Sequence, residues 1–206
     1  MKKVYIIQHC QSEHHVNTLT GGWTDTPLTL LGKKQAHAVA KELRMMGVSN
    51  FKLISSDLKR AYMTAQEIAK EFSVEINTLE MLREINNGEA KNKTKEWAFN
   101  NKLSSSDRLE VDQKDWDGAE TPRELHNRMS TFINQYIVNT QTDIVIVSHG
   151  VAIGYLISSW LGITPEQMRD TFIKGSAGGI SIISVSPLGQ NILTLFNNTS
   201  FLRGLQ

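Results

Sequence analysis

Short apolar runs alternate with amphipathic stretches along the first third of the chain. Residues 4–7 form an apolar run that predicts a buried strand, and residues 51–55 predict a second strand. Between them, Thr29 is suited to cap a helix that Gly47 would end. Apolar residues spaced by three and four over residues 58–72 predict another helix with one buried face. This alternation of strand and helix is typical of α/β proteins.

Clear signals for further elements follow in the second half of the chain. Thr121, Pro122 and Glu124 form a capping box with proline at the first helical position, which predicts a helix. The β-branched run at residues 144–147 suits a central strand that is covered on both faces. Residues 151–161 then predict an apolar helix, which Gly162 would end.

A short helix and a hairpin are predicted for the end of the sequence. Thr164 and Gln167 repeat the capping pattern of a helix, and strands at about 179–186 and 191–197 flank a turn. Together these elements predict a three-layer α/β fold, in which a largely parallel sheet carries helices on both faces. A length of 206 residues fits a single domain, residues 1–206.

Residues 86–120 interrupt this pattern. They are rich in Asn, Lys, Asp and Ser, contain scattered aromatic residues, and show no convincing period. We interpret them as an insertion that forms a lid over the strand ends and selects the substrate. The insertion contains four lysines, which either favour an anionic ligand or form a solvated surface: Lys91, Lys93, Lys95 and Lys102.

Composition excludes several classes of protein. Hydrophobic residues make up 40% of the chain and charged ones 21%, which is typical of a globular protein. The 22 basic and 21 acidic residues leave a net charge of +1, so we expect no nucleic-acid partner. The lone Cys10 excludes an intrachain disulfide and a cysteine-based zinc site. The first apolar run is too short for an export signal, and no run is long enough to span a membrane, so a cytoplasmic location without a membrane partner is expected.

Polar residues follow three of the predicted strands. Gln8 and His9 come directly after the first strand, Arg60 lies shortly after the second, and His149 follows the central strand. Because ligands of open parallel sheets bind at the carboxyl ends of the strands, these side chains are expected to converge on one site.

Four chemistries compete for such a site. A zinc hydrolase would need three ligands, and the available His14 and His15 are adjacent, so they do not share a helix face. A cysteine phosphatase would need an arginine six positions after Cys10, where Val16 stands, and the sequence contains no Walker A pattern. The fourth chemistry is phosphoryl transfer through a histidine. In it a neutral imidazole attacks phosphorus, cationic donors hold the phosphoryl oxygens, and a carboxylic acid protonates the leaving oxygen.

Five blocks of sequence follow one another in a distinctive order. They are Gln8-His9-Cys10-Gln11-Ser12, Gly22-Trp23-Thr24-Asp25-Thr26-Pro27-Leu28-Thr29, Ser55-Ser56-Asp57-Leu58-Lys59-Arg60-Ala61, Leu82-Arg83-Glu84-Ile85 and Val147-Ser148-His149-Gly150. Together these blocks resemble the histidine phosphatase superfamily, which includes the cofactor-dependent phosphoglycerate mutases. The resemblance extends from residue 4 to about residue 160.

The resemblance implies a role for each matching residue. His9 would be the nucleophile that becomes phosphohistidine, and Glu84 would donate a proton to the leaving group. Arg60 and His149 would bind the phosphoryl oxygens, with Asn17 near the transferred phosphate. The implied mechanism needs no metal and no cofactor, and the implied partner is a small phosphorylated substrate.

Two residues beside the nucleophile depart from the family pattern. The arginine of the family is Gln8 here, and its glycine is Cys10. Glutamine keeps an amide donor for substrate binding but lacks the charge and the rigid fork of arginine. Losing one such donor typically lowers the rate by about 10²–10³. We expect Cys10 to be a small buried hydrophobic residue and not a reactive thiol.

Three functions are compatible with this pattern. The first is a phosphomonoester hydrolase that acts through His9, with activity reduced by Gln8. The second is a phosphoglycerate-type mutase, for which 206 residues is short. The third is a phospho-ligand or protein-binding module that has lost catalysis. The sequence leaves the oligomeric state open.

Overall fold

A six-stranded sheet organises the protein in a computed structural model, which describes residues 2–103 and 110–205. Its strands are β1 (Lys3–Gln8), β2 (Phe51–Ser55), β3 (Ile76–Thr78), β4 (Asp143–Ser148), β5 (Ile180–Val185) and β6 (Asn191–Asn198). They lie in the order β3-β2-β4-β1-β5-β6. The first four are parallel to one another, and β5 and β6 join antiparallel. The predicted α/β fold with a largely parallel sheet is confirmed.

The helices connect these strands. They are α1 (Glu13–Val16), α2 (Leu30–Met45), α3 (Lys59–Phe72), α4 (Lys95–Asn100), α5 (Pro122–Phe132) and α6 (Gly150–Trp160). A π-helical turn, Ile133–Val138, continues α5, and 3₁₀ turns lie at Glu80–Leu82, Gly88–Ala90, Gln167–Arg169 and Ser200–Leu202. None of the helices in the described residues is both long and apolar enough to cross a membrane.

An apolar core covers each face of the sheet. Side chains alternate along a strand, and β4 shows the result. Ile144 and Ile146 pack with α5 and α6 on one face, while Val145 and Val147 pack with α2 and α3 on the other. All four are fully buried, so the predicted central strand covered on both faces is confirmed.

Capping residues begin the helices where the sequence predicts them. The Thr29 hydroxyl accepts from the Gly32 amide at 3.0 Å at the start of α2. At the start of α5, the Thr121 hydroxyl accepts from the Glu124 amide at 3.1 Å, and Glu124 Oε2 accepts from the Thr121 amide at 2.8 Å. Gly47 follows α2 with φ +77°, a conformation that glycine adopts without strain.

The predicted short helix after Thr164 is a single 3₁₀ turn. The capping contacts are present: Gln167 Oε1 accepts from the Thr164 amide at 2.8 Å, and the Thr164 hydroxyl accepts from the Gln167 amide at 3.4 Å. Only the turn Gln167–Arg169 follows them. Local capping therefore marks the start of the helical turn but does not set its length.

The two ends of the predicted insertion at residues 86–120 are tied together. The Glu120 amide donates to the Asn86 carbonyl at 2.9 Å, and Asn87 and Ala119 form an isolated β-bridge. Between these ends lie the turn Gly88–Ala90 and α4. Residues 104–109 of the insertion lie outside the described residues, and its role as a lid stays a prediction.

Helix α2 packs directly on the backbone that follows β1. A Cβ at Gly32 would lie 1.9 Å from the Gln11 carbonyl oxygen, so glycine is needed for this approach. The same carbonyl accepts from the Thr29 amide at 3.1 Å. These contacts hold the segment that follows the predicted nucleophile.

Candidate active site

His9 lies at the carboxyl end of β1, next to the end of β4. Its amide donates to the Ser148 carbonyl at 2.9 Å, and its ring Nδ1 lies 2.8 Å from the Cys10 carbonyl oxygen. Because a carbonyl can only accept, Nδ1 carries the proton and Nε2 carries the lone pair. Burial, and then the charge of Arg60, hold the pKa of His9 well below its usual range. His9 is therefore neutral at pH 7, as a nucleophile must be.

Arg60, in the first turn of α3, donates a hydrogen bond to the unprotonated ring nitrogen of His9. Its Nε donates to His9 Nε2 at 3.1 Å. Its Nη1 donates to the Thr24 carbonyl at 2.6 Å and its Nη2 to the Gly22 carbonyl at 2.8 Å, which fixes the guanidinium. Burial lowers the pKa of Arg60 to about 10, so the group remains charged at pH 7. An anchored cation thus lies beside the Nε2 lone pair of His9.

His149 is the N-cap residue of α6 and lies behind His9. The two ring centroids are 5.1 Å apart in an edge arrangement. His149 Nε2 lies 2.8 Å from the Ser56 hydroxyl, while Nδ1 is buried without a hydrogen-bond partner in the described part of the chain. Burial holds the pKa of His149 well below its usual range. His149 is fully buried and is not among the described residues that line the cavity around His9, so its role in binding phosphoryl oxygens stays a prediction from the resemblance.

Glu84 lies at the N-terminus of α6. Its carboxyl group accepts from three backbone amides: Ala152 at 2.8 Å, Val151 at 3.0 Å and Ile85 at 3.0 Å. These bonds fix the orientation of a buried carboxyl group that lines the same cavity as His9 and Arg60. The structure therefore brings Glu84 into the cavity that contains both of these side chains.

Gln8 and Cys10, the two departures from the family pattern, differ in environment. Gln8 lines the cavity, and its buried Oε1 has no hydrogen-bond partner among the described residues. Cys10 points into the core on the α2 side of the sheet, and burial raises the pKa of its thiol to about 12. The prediction that Cys10 is a small buried hydrophobic residue is confirmed.

The structure does not bring Asn17 to the cavity. Asn17 is exposed at the C-terminal end of α1, and it is not among the described residues that line the cavity around His9. Its place near the transferred phosphate stays a prediction from the resemblance.

Two histidines that the sequence analysis gave no role lie in the cavity wall. The short helix α1 carries His14 and His15, and the ring of His15 lies nearly parallel to that of His9, with centroids 5.4 Å apart. Burial lowers the pKa of His14 to about 3 and also lowers the pKa of His15. Their position directly after the nucleophile strand was a signal in the sequence.

His9, His14 and His15 also form a group that could hold a metal ion. One ring nitrogen of each lies within 4.8 Å of the others, so the argument that adjacent histidines cannot share a site is wrong. Arg60 nevertheless opposes a cation here, because its Nε occupies the His9 lone pair and its charge repels a metal. The donor set fits an anion better than a metal.

The cavity around His9 has a volume of about 210 Å³. Besides the residues at the strand ends, the connection between α6 and β5 contributes Phe172, Lys174 and Gly175 to its wall. Sequence reasoning missed these three residues. Lys174 adds a second cation to the one that Arg60 supplies, which suits a phosphoryl group.

The four lysines of the insertion do not line this cavity, and all are exposed. Burial lowers the pKa values of His14 and His15, and the charge of Lys95 adds a small contribution in the same direction. Lys102 pairs with Asp115 at 3.1 Å. The expectation that these lysines favour an anionic ligand therefore stays a prediction.

The chain belongs to the histidine phosphatase superfamily. Residues 4–199 match branch 1 of that superfamily, which covers nearly the whole fold described above. The sequence is 33% identical over 174 residues to a protein of Proteus mirabilis (strain HI4320) named probable phosphoglycerate mutase GpmB. The match covers 82% of this chain and 79% of that protein.

Solved structures share the fold. The phosphoserine phosphatase of Entamoeba histolytica, in complex with 3-phosphoglyceric acid, superimposes with a TM-score of 0.81 and 29% identity, covering 98% of this chain and 100% of that chain. The mycobacterial glucosyl-3-phosphoglycerate phosphatase gives a TM-score of 0.82 at 19% identity, covering 96% and 99%. The second likeness shows the fold alone. The α/β fold expected from the sequence is thus that of the superfamily.

Proposed function

We propose that the protein hydrolyses phosphomonoesters through a phosphohistidine at His9. The observation that supports the proposal most directly is the protonation and orientation of the His9 imidazole. Its proton is held on Nδ1 by the Cys10 carbonyl, and its Nε2 lone pair faces the cation of Arg60. A neutral, oriented nucleophile beside an anchored cation is the arrangement that phosphoryl transfer requires.

The first half-reaction follows from the positions of the side chains. Arg60 Nε shifts its hydrogen bond from His9 to a phosphoryl oxygen, which frees Nε2 to attack phosphorus. His149, whose ring centroid lies 5.1 Å from that of His9 and whose buried Nδ1 has no partner among the described residues, would bind the same group. As the N–P bond forms, the bond to the leaving oxygen breaks, and Glu84, which starts this half-reaction as the carboxylic acid, donates its proton to that oxygen.

In the second half-reaction water replaces the leaving group. Glu84, now a carboxylate, takes a proton from the water, whose oxygen attacks phosphorus. The N–P bond breaks, inorganic phosphate leaves, and His9 returns to its neutral form. A mutase would differ only in the acceptor, which would be a hydroxyl of a phosphoglycerate.

The mutase is a second candidate, because a relative with 33% identity is named a probable phosphoglycerate mutase. The two functions are separated by the fate of the phosphoryl group. A hydrolase releases inorganic phosphate, whereas a mutase converts 3-phosphoglycerate to 2-phosphoglycerate. A coupled assay for that conversion, run beside phosphate release, compares them directly.

The test is turnover of p-nitrophenyl phosphate by the wild type, by His9→Gln and by His37→Gln. His37 is a surface histidine of α2 and serves as a matched control. We expect His9→Gln to lower kcat by about 10³ or more and His37→Gln to leave it unchanged. Turnover that survives in His9→Gln would overturn the histidine mechanism. Absence of turnover in the wild type on every phosphomonoester tried would instead favour a binding module.

A further inference from the structure

A second cavity adjoins the catalytic cavity. It has a volume of about 570 Å³, compared with about 210 Å³ for the cavity around His9. The two share Val151 and Phe172 in their walls. Glu84 lines the first cavity, and the next residue, Ile85, lines the second. The boundary between them therefore runs beside Glu84, the carboxylic acid that would protonate the leaving group.

The wall of the second cavity is mainly apolar. Its apolar and aromatic residues are Ile85, Trp116, Ala119, Pro122, Val151, Tyr155, Met168 and Phe172. The indole N–H of Trp116 already donates to the Ala98 carbonyl at 3.0 Å, so this ring offers only an apolar surface. Phe172, at the shared boundary, is 58% exposed. Because this ring lines both cavities, a ligand that extends from one into the other would contact it.

The charged groups of the second cavity are paired with one another or with neighbours. Glu120 accepts from Arg128 at 2.7 Å, and Asp115 pairs with Lys102 at 3.1 Å. Among the described residues that line this cavity, Arg169 is the one cationic side chain, and it lies 3.5 Å from Glu110. Three carboxylates line this wall, those of Asp115, Glu120 and Asp170, against the one cation of Arg169, whose buried Nε has no hydrogen-bond partner among the described residues. A second anionic group on the substrate would therefore meet more carboxylates than cations here.

The direction of the leaving group follows from the reaction. In phosphoryl transfer the attacking atom and the leaving oxygen lie roughly in line through phosphorus. With His9 attacking and Glu84 protonating the leaving oxygen, the organic group departs past Glu84. It then enters the second cavity beside Ile85.

We propose that the second cavity binds the organic part of the substrate, and that this part is a large, uncharged, mainly apolar or aromatic group. The inference rests on the proposed function, because it takes His9 and Glu84 as nucleophile and acid. A cavity of this volume is in the range that holds ligands of several rings. The substrate class is therefore aryl or comparably bulky phosphomonoesters, and not small phosphorylated acids.

The test compares kcat/KM for 1-naphthyl phosphate, phenyl phosphate and 3-phosphoglycerate. The two aryl leaving groups have nearly equal acidity, so a difference between them reports binding of the extra ring. Because burial of each added carbon is favourable, we expect kcat/KM for the naphthyl ester to exceed that for the phenyl ester by about tenfold or more. We expect 3-phosphoglycerate to be poorer than phenyl phosphate by about tenfold. Equal values for the two aryl esters, or a preference for 3-phosphoglycerate, would overturn the inference.

A pair of variants tests the location of the site. Phe172→Ala is expected to reduce the naphthyl-to-phenyl ratio of kcat/KM about fivefold or more. Because Phe172 is exposed, we expect this variant to stay folded, which circular dichroism checks. Phe99→Ala is the matched control, since Phe99 is 84% exposed and lines neither cavity. A ratio that is unchanged in Phe172→Ala would place the binding of the ring elsewhere and contradict the proposal.

Binding measurements separate this inference from the proposed function. Calorimetry with 1-naphthylphosphonate and methylphosphonate requires no catalysis. Tighter binding of the naphthyl compound by about tenfold supports the apolar site even where no ester is hydrolysed, while equal affinity contradicts it. Hydrolysis of phenyl phosphate without a naphthyl preference would leave the proposed function standing and remove only the inference.

Discussion

The site has a buried half, formed by His9, Arg60 and His149, and an exposed half, formed by Phe172 and Lys174. The two halves differ in burial and in the regularity of the backbone that carries them. His9, Arg60 and His149 come from strand ends and helix starts, and are 3%, 1% and 0% exposed. Phe172 and Lys174 come from a connection without regular structure, and Phe172 is 58% exposed. Buried, hydrogen-bonded groups keep one geometry, whereas exposed loop groups can be exchanged at little cost to the fold. The first half therefore suits the chemistry and the second suits the choice of substrate.

After the loss expected for His9→Gln, the largest effect is expected at Arg60. Arg60→Lys keeps a charge but cannot donate to Thr24, Gly22 and the substrate together. We expect kcat/KM to fall by about 10²–10³ for phenyl and naphthyl phosphates alike. Arg203→Lys, at an exposed arginine, is the control. A fall confined to one of the two esters would mean that Arg60 belongs to the selective half of the site.

A slightly smaller effect is expected at Glu84, and it should depend on the leaving group. Glu84→Gln removes the proton donor, so hydrolysis of phenyl phosphate should slow by about 10² or more. p-Nitrophenyl phosphate should be affected far less, because p-nitrophenolate leaves without a proton. Glu89→Gln, at an exposed glutamate, should change neither rate. Equal losses on both esters would argue against Glu84 as the acid.

A substitution at Gln8 is expected to increase the activity. Gln8→Arg restores a charged donor beside His9, and we expect phosphatase activity to rise about tenfold. Gln8→Met removes the amide at similar length and should lower it. A flat or lower rate in Gln8→Arg would show that the neighbourhood of Cys10 and Gly175 leaves no productive place for the guanidinium.

The smallest effect concerns stability in acid, and it belongs to the buried half. The pKa values of His9 and His149 are held well below the usual 6.5 in the folded protein. The unfolded chain therefore binds more protons than the folded one below about pH 6.5, and stability falls as the pH falls through this range. Each such histidine contributes up to about 1.4 kcal/mol per pH unit. Urea unfolding at pH 7.5, 6.5 and 5.5 measures the slope of the unfolding free energy against pH. In His9→Gln this slope should decrease by the equivalent of about one bound proton. The same slope in His9→Gln and in the wild type would contradict the conclusion that His9 is buried in its neutral form.

The elements of the buried half could be predicted from the sequence. Apolar runs mark β1, β2 and β4 because these strands are buried on one or both faces, and the residues that follow parallel strands meet at one edge of the sheet. Gln8, His9, Arg60 and His149 were placed in this way. Glu84 required the resemblance, since nothing in its local pattern distinguishes it from a surface carboxylate.

The exposed half could not be predicted in the same way. Phe172 and Lys174 lie in a connection whose path is set by contacts with distant parts of the chain and carries no periodic signal. The helix α1 has four residues, which is too short for a periodic pattern. The positions of His14 and His15 in the cavity wall could therefore not be predicted. Asn17 shows the opposite case, because a match to a family motif predicted a role for a residue that the fold leaves exposed.

We expect His9 to carry the phosphoryl group during turnover. Rapid mixing of the wild type with p-nitrophenyl phosphate, followed by an alkaline quench and peptide mass spectrometry, tests this directly. The expected result is a burst of p-nitrophenol in proportion to enzyme, and a phosphorylated imidazole at His9 that is absent in His9→Gln. Turnover without phosphorylation of any histidine, or phosphorylation of His14, His15 or His149 in place of His9, would contradict it.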